Sequence, residues 1–288
     1  MISFVKLGEH GWFGNQIFQY AYLRSQARRL GVKFCCPPWQ GDEVFELNDE
    51  AERVRKPGKI SRIYRQPKRN CGFEEKALKV RDGTDVRGYF QSARYFDDPE
   101  TVRGWFRFKE GKIRGVRQRW EHVDLSRSVG LHLRFREKQK VTKHRLRYCL
   151  PRGEYYRRAL EIMSYRDTVL IFSDDLAMSR KWLSGIPGNF VFVEGNQDYE
   201  DLYLMTQCHG LVCSVSTFCW WGAWLNRRPD RRIVVPQEGH FRSGHAWKCR
   251  DYWCDDWIPI PGADRFWDHY QTQFWLGWLR HFGVAQLG

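Results

Sequence analysis

Four short segments combine polar or charged residues with the end of an apolar run, the setting in which a strand delivers chemistry to a ligand. His132 and Arg134 close the run SVGLHLR, and strand alternation puts both on one face. A guanidinium there offers paired charge-assisted hydrogen bonds to a diphosphate. Arg136, Lys138, Lys140 and Lys143 follow and raise the positive potential. Ser214, Ser216 and Thr217 cluster after GLVC, where a strand gives way to the helix STFCWWGAWLN. Open backbone amides, hydroxyls and the positive end of the helix dipole make that position an anion site. Asp174 and Asp175 end the run TVLIFS and can hold a ribose or base edge, or cap the next helix. The two carboxylates are adjacent, unlike the spaced pair of a magnesium loop, so no metal site is read there. The fourth segment is GEHGWFGNQ, in which Gly8, Gly11 and Gly14 allow a tight turn and close approach. Asn15 and Gln16 then open a helix with polar amides.

Each segment also has an ordinary reading. Asp174 and Asp175 suit a helix cap, the arginine and lysines suit a solvated edge, and Trp220, Trp221 and Trp224 suit packing on the helix body. What decides is the framework that carries them. ISFVKL at 2–7 reads as a buried strand, followed by the glycine turn and a helix ending at Gly31. VKFCC is a second strand, stopped by Pro37-Pro38. Residues 40–85 are polar, basic and weakly periodic, and they show no clear element. RGYFQSARYFDDPE combines a short strand with an aromatic turn, and 100–125 read as a helix plus linker. From 128 onward SVGLHLR, TVLIFS, NFVFVEG, GLVCSV and RRIVVP alternate with amphipathic helices. Strict alternation of this kind predicts a parallel sheet covered on both faces.

A chain of 288 residues with 42% apolar content buries a substantial core. Its net charge of +14 points to an anionic partner or surface. Nucleic acid is the less favoured of these, because the cations are scattered and no nucleic-acid module is present. The nine cysteines are odd in number, form no CxxC pair and lie partly in apolar runs. They read as buried thiols of a reducing compartment, and no zinc spacing appears. The first residues lack the basic head and long apolar stretch of a signal peptide, and no run reaches a membrane span of roughly 20 apolar residues. The expectation is a cytoplasmic protein with room for peripheral contact at a membrane. Trp267, Tyr270, Phe274, Trp278 and Phe282 recur three or four apart and share one helix face. That face suits either packing across the molecule or docking to a membrane that carries a lipid-linked acceptor.

Taken in order, GWFGNQIFQYA, RGYFQSARYF, HLR after a strand, FSDD, DLYLMTQC and STFCWWGAWLN resemble the alpha-1,2-fucosyltransferase family. That family's segments read approximately GxLGNQMFQYA, GYFQSxxYF, HxRRGDY, FSDD and SSFSWWGAWLN. The resemblance runs from about residue 3 to 258. It implies an α/β protein of GT-B type, with two Rossmann-like domains facing each other across a cleft. Residues 1–124 would form the acceptor-side domain, and 125–288 the GDP-sugar-binding domain with its aromatic C-terminal helix. The implied reaction is inverting transfer of L-fucose from GDP-beta-L-fucose to a glycan hydroxyl, the 2-OH of a beta-galactoside, with no metal or cofactor.

Carried over by position, Arg134 holds the beta-phosphate, while His132 and Asp174 or Asp175 contact the guanosine. Ser216, Thr217 and Phe218 match the phosphate and base platform. Asn15, next to Gly14, faces the cleft and orients donor sugar or acceptor, which makes Arg134 and Asn15 the catalytic candidates. One segment departs from the pattern. In HLRFREK, Phe135 stands for the family's second arginine, Arg136 for the glycine and Glu137 for the aspartate. The departure leaves open another GDP-sugar or linkage, or a degenerate protein that binds nucleotide or glycan without catalysis. Glu9, His10 and Glu137 are the candidates for general base.

Overall fold

Two sheets, both parallel throughout, carry the chain in a computed structural model that describes residues 1–67, 72–135, 151, 153–164, 167–237 and 251–262. The first contains β1 (Ile2–Ser3), β2 (Phe34–Cys35), β3 (Arg62–Arg65) and β4 (Thr84–Arg87), in the order β2-β1-β4-β3. The second contains β5 (Val129–Leu133), β6 (Val169–Ser173), β7 (Phe190–Phe192), β8 (Gly210–Val212), β9 (Arg232–Pro236) and β10 (Ile258–Ile260), in the order β10-β9-β8-β5-β6-β7. Each sheet starts with an inner strand, and later strands are added on both sides of it. The order therefore reverses beside β1 and beside β5, and the carboxyl ends at such a reversal are where open α/β sheets hold ligands.

Eight helices connect the described strands: α1 (Phe13–Leu30), α2 (Gln40–Val44), α3 (Pro99–Trp105), α4 (Glu110–Arg119), α5 (Gly153–Met163), α6 (Leu176–Leu183), α7 (Asp198–Gln207) and α8 (Thr217–Leu225). None of the described helices is long and apolar enough to cross a membrane. The α/β class with parallel sheets is the expected one. The aromatic C-terminal helix expected after 264 lies outside the described residues.

Local chemistry explains where the elements depart from expectation. The strand read over 2–7 stops at Ser3, because Asp85 draws the chain out of the ladder. Its fully buried carboxylate accepts from Val5 N at 3.0 Å and from Ser3 Oγ at 3.3 Å. The single helix expected in 100–125 is two, α3 and α4. Between them the backbone pairs with residues 44–46 instead, through Glu46 N to Arg107 O at 2.8 Å and Lys109 N to Val44 O at 2.9 Å. Strand β3 lies in the stretch 40–85, where the sequence shows no clear element. Its residues RIYR form an exposed sheet edge without apolar alternation.

The core is continuous from one sheet to the other. Helix α1 packs against α8 through Phe18, whose ring lies 4.5 Å from Trp220 and 4.8 Å from Trp221. Trp220 and Trp221 are fully buried and Trp224 nearly so, so packing is their structural role. Aromatic pairs of this geometry are worth about 0.5–1.5 kcal/mol each beyond the area they bury. They fix the angle at which the two helix N-termini meet.

Candidate active site

Strand β5 ends between β6 and β8, and it delivers His132 and Arg134 to the carboxyl edge of the second sheet. The His132 ring is buried, with Nδ1 2.6 Å from Ser214 Oγ and its centroid 6.1 Å from that of Phe218. Strand β5 is thereby tied to the loop after β8. Arg134 remains 33% exposed, which leaves it within reach of a ligand. Its Nη1 lies 3.1 Å from Asp174 Oδ2, and Asp174 Oδ1 accepts from Phe135 N at 2.8 Å. One carboxylate thus holds both the guanidinium and the backbone beyond it. Asp175 acts elsewhere, since its Oδ1 accepts from Met178 N at 2.9 Å and caps α6. Of the two adjacent aspartates, Asp174 orients Arg134 and Asp175 begins a helix.

Ser216 is the N-cap of α8 and accepts from Phe218 N at 3.2 Å. Ser216 and Thr217 are largely buried, and Phe218 is partly so. Facing this end of α8 is the start of α1. Its N-cap residue is Trp12, in extended backbone, so Asn15 does not serve as the cap its type suggests. Gly11 makes the turn at a φ of 92°, and a Cβ there would lie 2.4 Å from Asn15 Nδ2. Gly14 lets the backbones of the two helices approach each other closely. A Cβ on it would lie 2.7 Å from Phe218 N and from the Thr217 carbonyl carbon. Trp221 Nε1 donates to Gly14 O at 3.0 Å and locks the contact. Both helix N-termini, each with positive dipole character, therefore begin at one point.

Gln91, from RGYFQSARYF, is a residue to which the sequence alone assigns no role. It is 5% exposed, and its Nε2 donates to Asn15 Oδ1 at 2.6 Å. With the carbonyl side of Asn15 engaged, its amide N–H groups are the side turned to other partners. Replacing Gln91 with leucine should therefore lower kcat about fivefold, as loss of one neutral hydrogen bond worth about 1 kcal/mol implies, with a melting temperature lowered by no more than a few degrees. Steady-state kinetics beside a thermal melt tests this, and an unchanged kcat would remove the orienting role.

Asp201, in the first turn of α7, is a second residue that sequence reasoning misses. Burial is the largest cause that lifts its carboxyl, to about 6; a hydrogen bond from Asn196 and the charge of His132 pull it down, and Glu200 and Asp198 push it up. Asp201 and His132 thus act on each other electrostatically. Its signal in the sequence is an acidic residue inside DYEDLYLM, which by type alone is an ordinary first-turn carboxylate. Of the candidate bases, Glu9 and His10 sit on the turn after β1, where Glu9 pairs with Lys6 at 3.0 Å. Glu137, together with Arg136, Lys138, Lys140 and Lys143, lies outside the described residues. Phe135, at the position of the family's second arginine, packs edge-on against Trp182 at 4.9 Å and is a packing residue here.

The segments that build this edge fall in a recognised family pattern. The family model described as Glycosyl transferase family 11 matches residues 86–260, more than half of the chain. Two proteins of Escherichia coli are similar over most of their length. O-antigen biosynthesis glycosyltransferase WbnK is 24% identical, across 84% of this chain and 97% of its own. An alpha-1,2-colitosyltransferase is 23% identical, across 78% of this chain and 89% of its own. Among solved structures, POFUT1 in complex with GDP-fucose superposes with a TM-score of 0.53 at 11% identity, covering 81% of this chain and 96% of that one. That last likeness is one of fold.

Proposed function

The chain belongs to glycosyl transferase family 11, and on that premise we propose that it transfers L-fucose from GDP-beta-L-fucose to a glycan hydroxyl, with inversion. The 2-OH of a beta-galactoside is the acceptor position we favour. The observation that carries the reading is the contact at Gly14, where the N-termini of α1 and α8 meet beside the switch point that carries Arg134. Departure of GDP leaves negative charge on the beta-phosphate. Arg134 and the first amides of α8 are the preorganised donors that stabilise it, which is the role a metal ion plays elsewhere. We read the two sheets as the two Rossmann-like halves of the GT-B plan, 1–124 and 125–288, and the reaction as metal-independent. Transfer in excess EDTA, followed by release of GDP and product analysis with a panel of beta-galactosides, tests both parts. Activity restored only by an added divalent cation would overturn the second.

In this reading the guanine edge is recognised by Asp201 with His132. Guanine presents two adjacent donors, the ring N–H and the exocyclic amine, which an ionised carboxylate accepts together. A carboxyl lifted to about 6 is neutral at low pH and cannot accept both. GDP affinity should therefore rise as pH increases through about 6, and weaken by up to about tenfold per unit below it. The nucleotide's own phosphate also titrates in this range, so the informative quantity is the difference between wild type and Asp201→Asn. Calorimetric titration from pH 5 to 8 should show a steeper loss of affinity below about pH 6 in the wild type than in Asp201→Asn; parallel profiles would reject the assignment.

A further inference from the structure

We propose that Arg119 and Asn196 position Asp201 for the guanine edge: a guanidinium from α4 sets the Asn196 amide, and that amide aims the carboxylate. The inference deepens the assignment of Asp201 made above and rests on it. Asn196 lies between β7 and α7, in a turn that Gly195 makes at a φ of 74°. Its Nδ2 donates to Asp201 Oδ1 at 2.9 Å, and its Oδ1 accepts from Arg119 Nη1. Arg119 lies in the last turn of α4 and is held by a second acid, with its Nη2 3.2 Å from Glu200 Oε1. Glu200 is buried, and its Oε2 accepts from Gln197 N at 2.8 Å where α7 begins. The neighbouring acids Glu200 and Asp201 are thus tied to one guanidinium, the first directly and the second through an amide.

Donor and acceptor chemistry leaves this array one arrangement. Arginine carries donors and no acceptor, so the oxygen of Asn196 faces it and the NH2 group faces Asp201. The direction matters, because an N–H aimed at a carboxylate favours its charged form. Each carboxylate oxygen has two lone pairs, so Oδ1 keeps room for one guanine N–H beside the Asn196 bond while Oδ2 takes the other. Asp201 needs that bias. Burial, with the charges of Glu200 and Asp198 on its own helix, raises its carboxyl, whereas Asn196 and the charge of His132 from β5 lower it, and the balance falls at about 6. Arg119 acts through Asn196, its own charge being matched by Glu200. Loss of the Asn196 donor therefore raises the carboxyl further. Loss of Arg119 lets the amide turn its oxygen toward Asp201, which works in the same direction.

The test is calorimetric titration of the full-length protein with GDP, and with inosine diphosphate, which lacks the exocyclic amine, at a series of pH values. In Asn196→Ala and in Arg119→Met the loss of GDP affinity on acidification should begin about one pH unit higher than in the wild type. Affinity should then stand about fivefold below wild type near pH 6 and within about twofold of it near pH 8. Asn196→Ala should change affinity by less than about twofold when Asp201 is already Asn. Arg119 is about half exposed and Asn196 only partly buried, so both variants should fold and melt within a few degrees of wild type. Profiles that overlay the wild type, a loss that is equal at every pH, or an undiminished effect of Asn196→Ala beside Asp201→Asn would overturn the positioning role. The wild type separates the two levels. If it binds both nucleotides equally and its profile parallels that of Asp201→Asn, the assignment of Asp201 itself fails; if it prefers GDP and the two variants share its profile, only the positioning role fails.

Discussion

Arg134→Ala should lower transfer by about 10²–10³-fold without changing the melting temperature. The size follows from where the charge appears. Cleavage of the sugar–phosphate bond concentrates negative charge on the beta-phosphate, and a preorganised guanidinium interacts with that oxygen more strongly in the transition state than before it. The structure explains why the fold should survive. Arg134 is one-third exposed, so its removal opens no cavity, and Asp174 keeps its bond from Phe135 N at 2.8 Å. Arg134→Lys keeps the charge but loses the two-pronged geometry, and should fall between the two. Initial rates of GDP release with saturating acceptor check the series. Activity above about a tenth of wild type in Arg134→Ala would deny the arginine its role.

Gly14→Ala is the second large effect, and stability considerations alone would predict the opposite sign. Alanine is the better helix former, by about 1 kcal/mol in a helix interior. Here, however, the added carbon would lie 2.7 Å from Phe218 N and from the Thr217 carbonyl carbon, both backbone atoms. The helix ends must separate to admit it, while the aromatic contacts of Phe18 with Trp220 and Trp221 hold the bodies of the helices together. Misplacing catalytic groups by about 1 Å is enough for a loss of about 10²-fold. We therefore expect kcat/KM to fall by about that factor, with a folded protein by circular dichroism. A wild-type rate in Gly14→Ala would show that the two N-termini do not act together.

The second sheet is legible in the sequence because its strands are covered on both faces and so appear as unbroken apolar runs, as in TVLIFS and GLVCSV. The same physics hides β3, since an exposed edge strand has no buried face to impose a pattern. At the site, Arg134, Ser216 and Gly14 stand out because a strand end, a helix start and a close approach each call for a particular residue type. Asn15 misleads for the same reason: its type suits a cap, but the turn places Trp12 there instead. Gln91 is beyond local reasoning, because its partner Asn15 lies 76 positions away. Asp201 is hidden similarly, since what distinguishes it from other first-turn carboxylates is burial and the nearness of His132. Asp174 shows the limit of type alone. Its adjacency to Asp175 suggests a shared role, and the fold gives the two carboxylates different ones.

The most direct test of the account is a crystal structure of the protein with GDP. It should place the beta-phosphate within hydrogen-bond distance of the Arg134 guanidinium and the backbone amides that open α8, with the guanine edge against Asp201. A nucleotide bound with its diphosphate away from Arg134 and the start of α8 would contradict it.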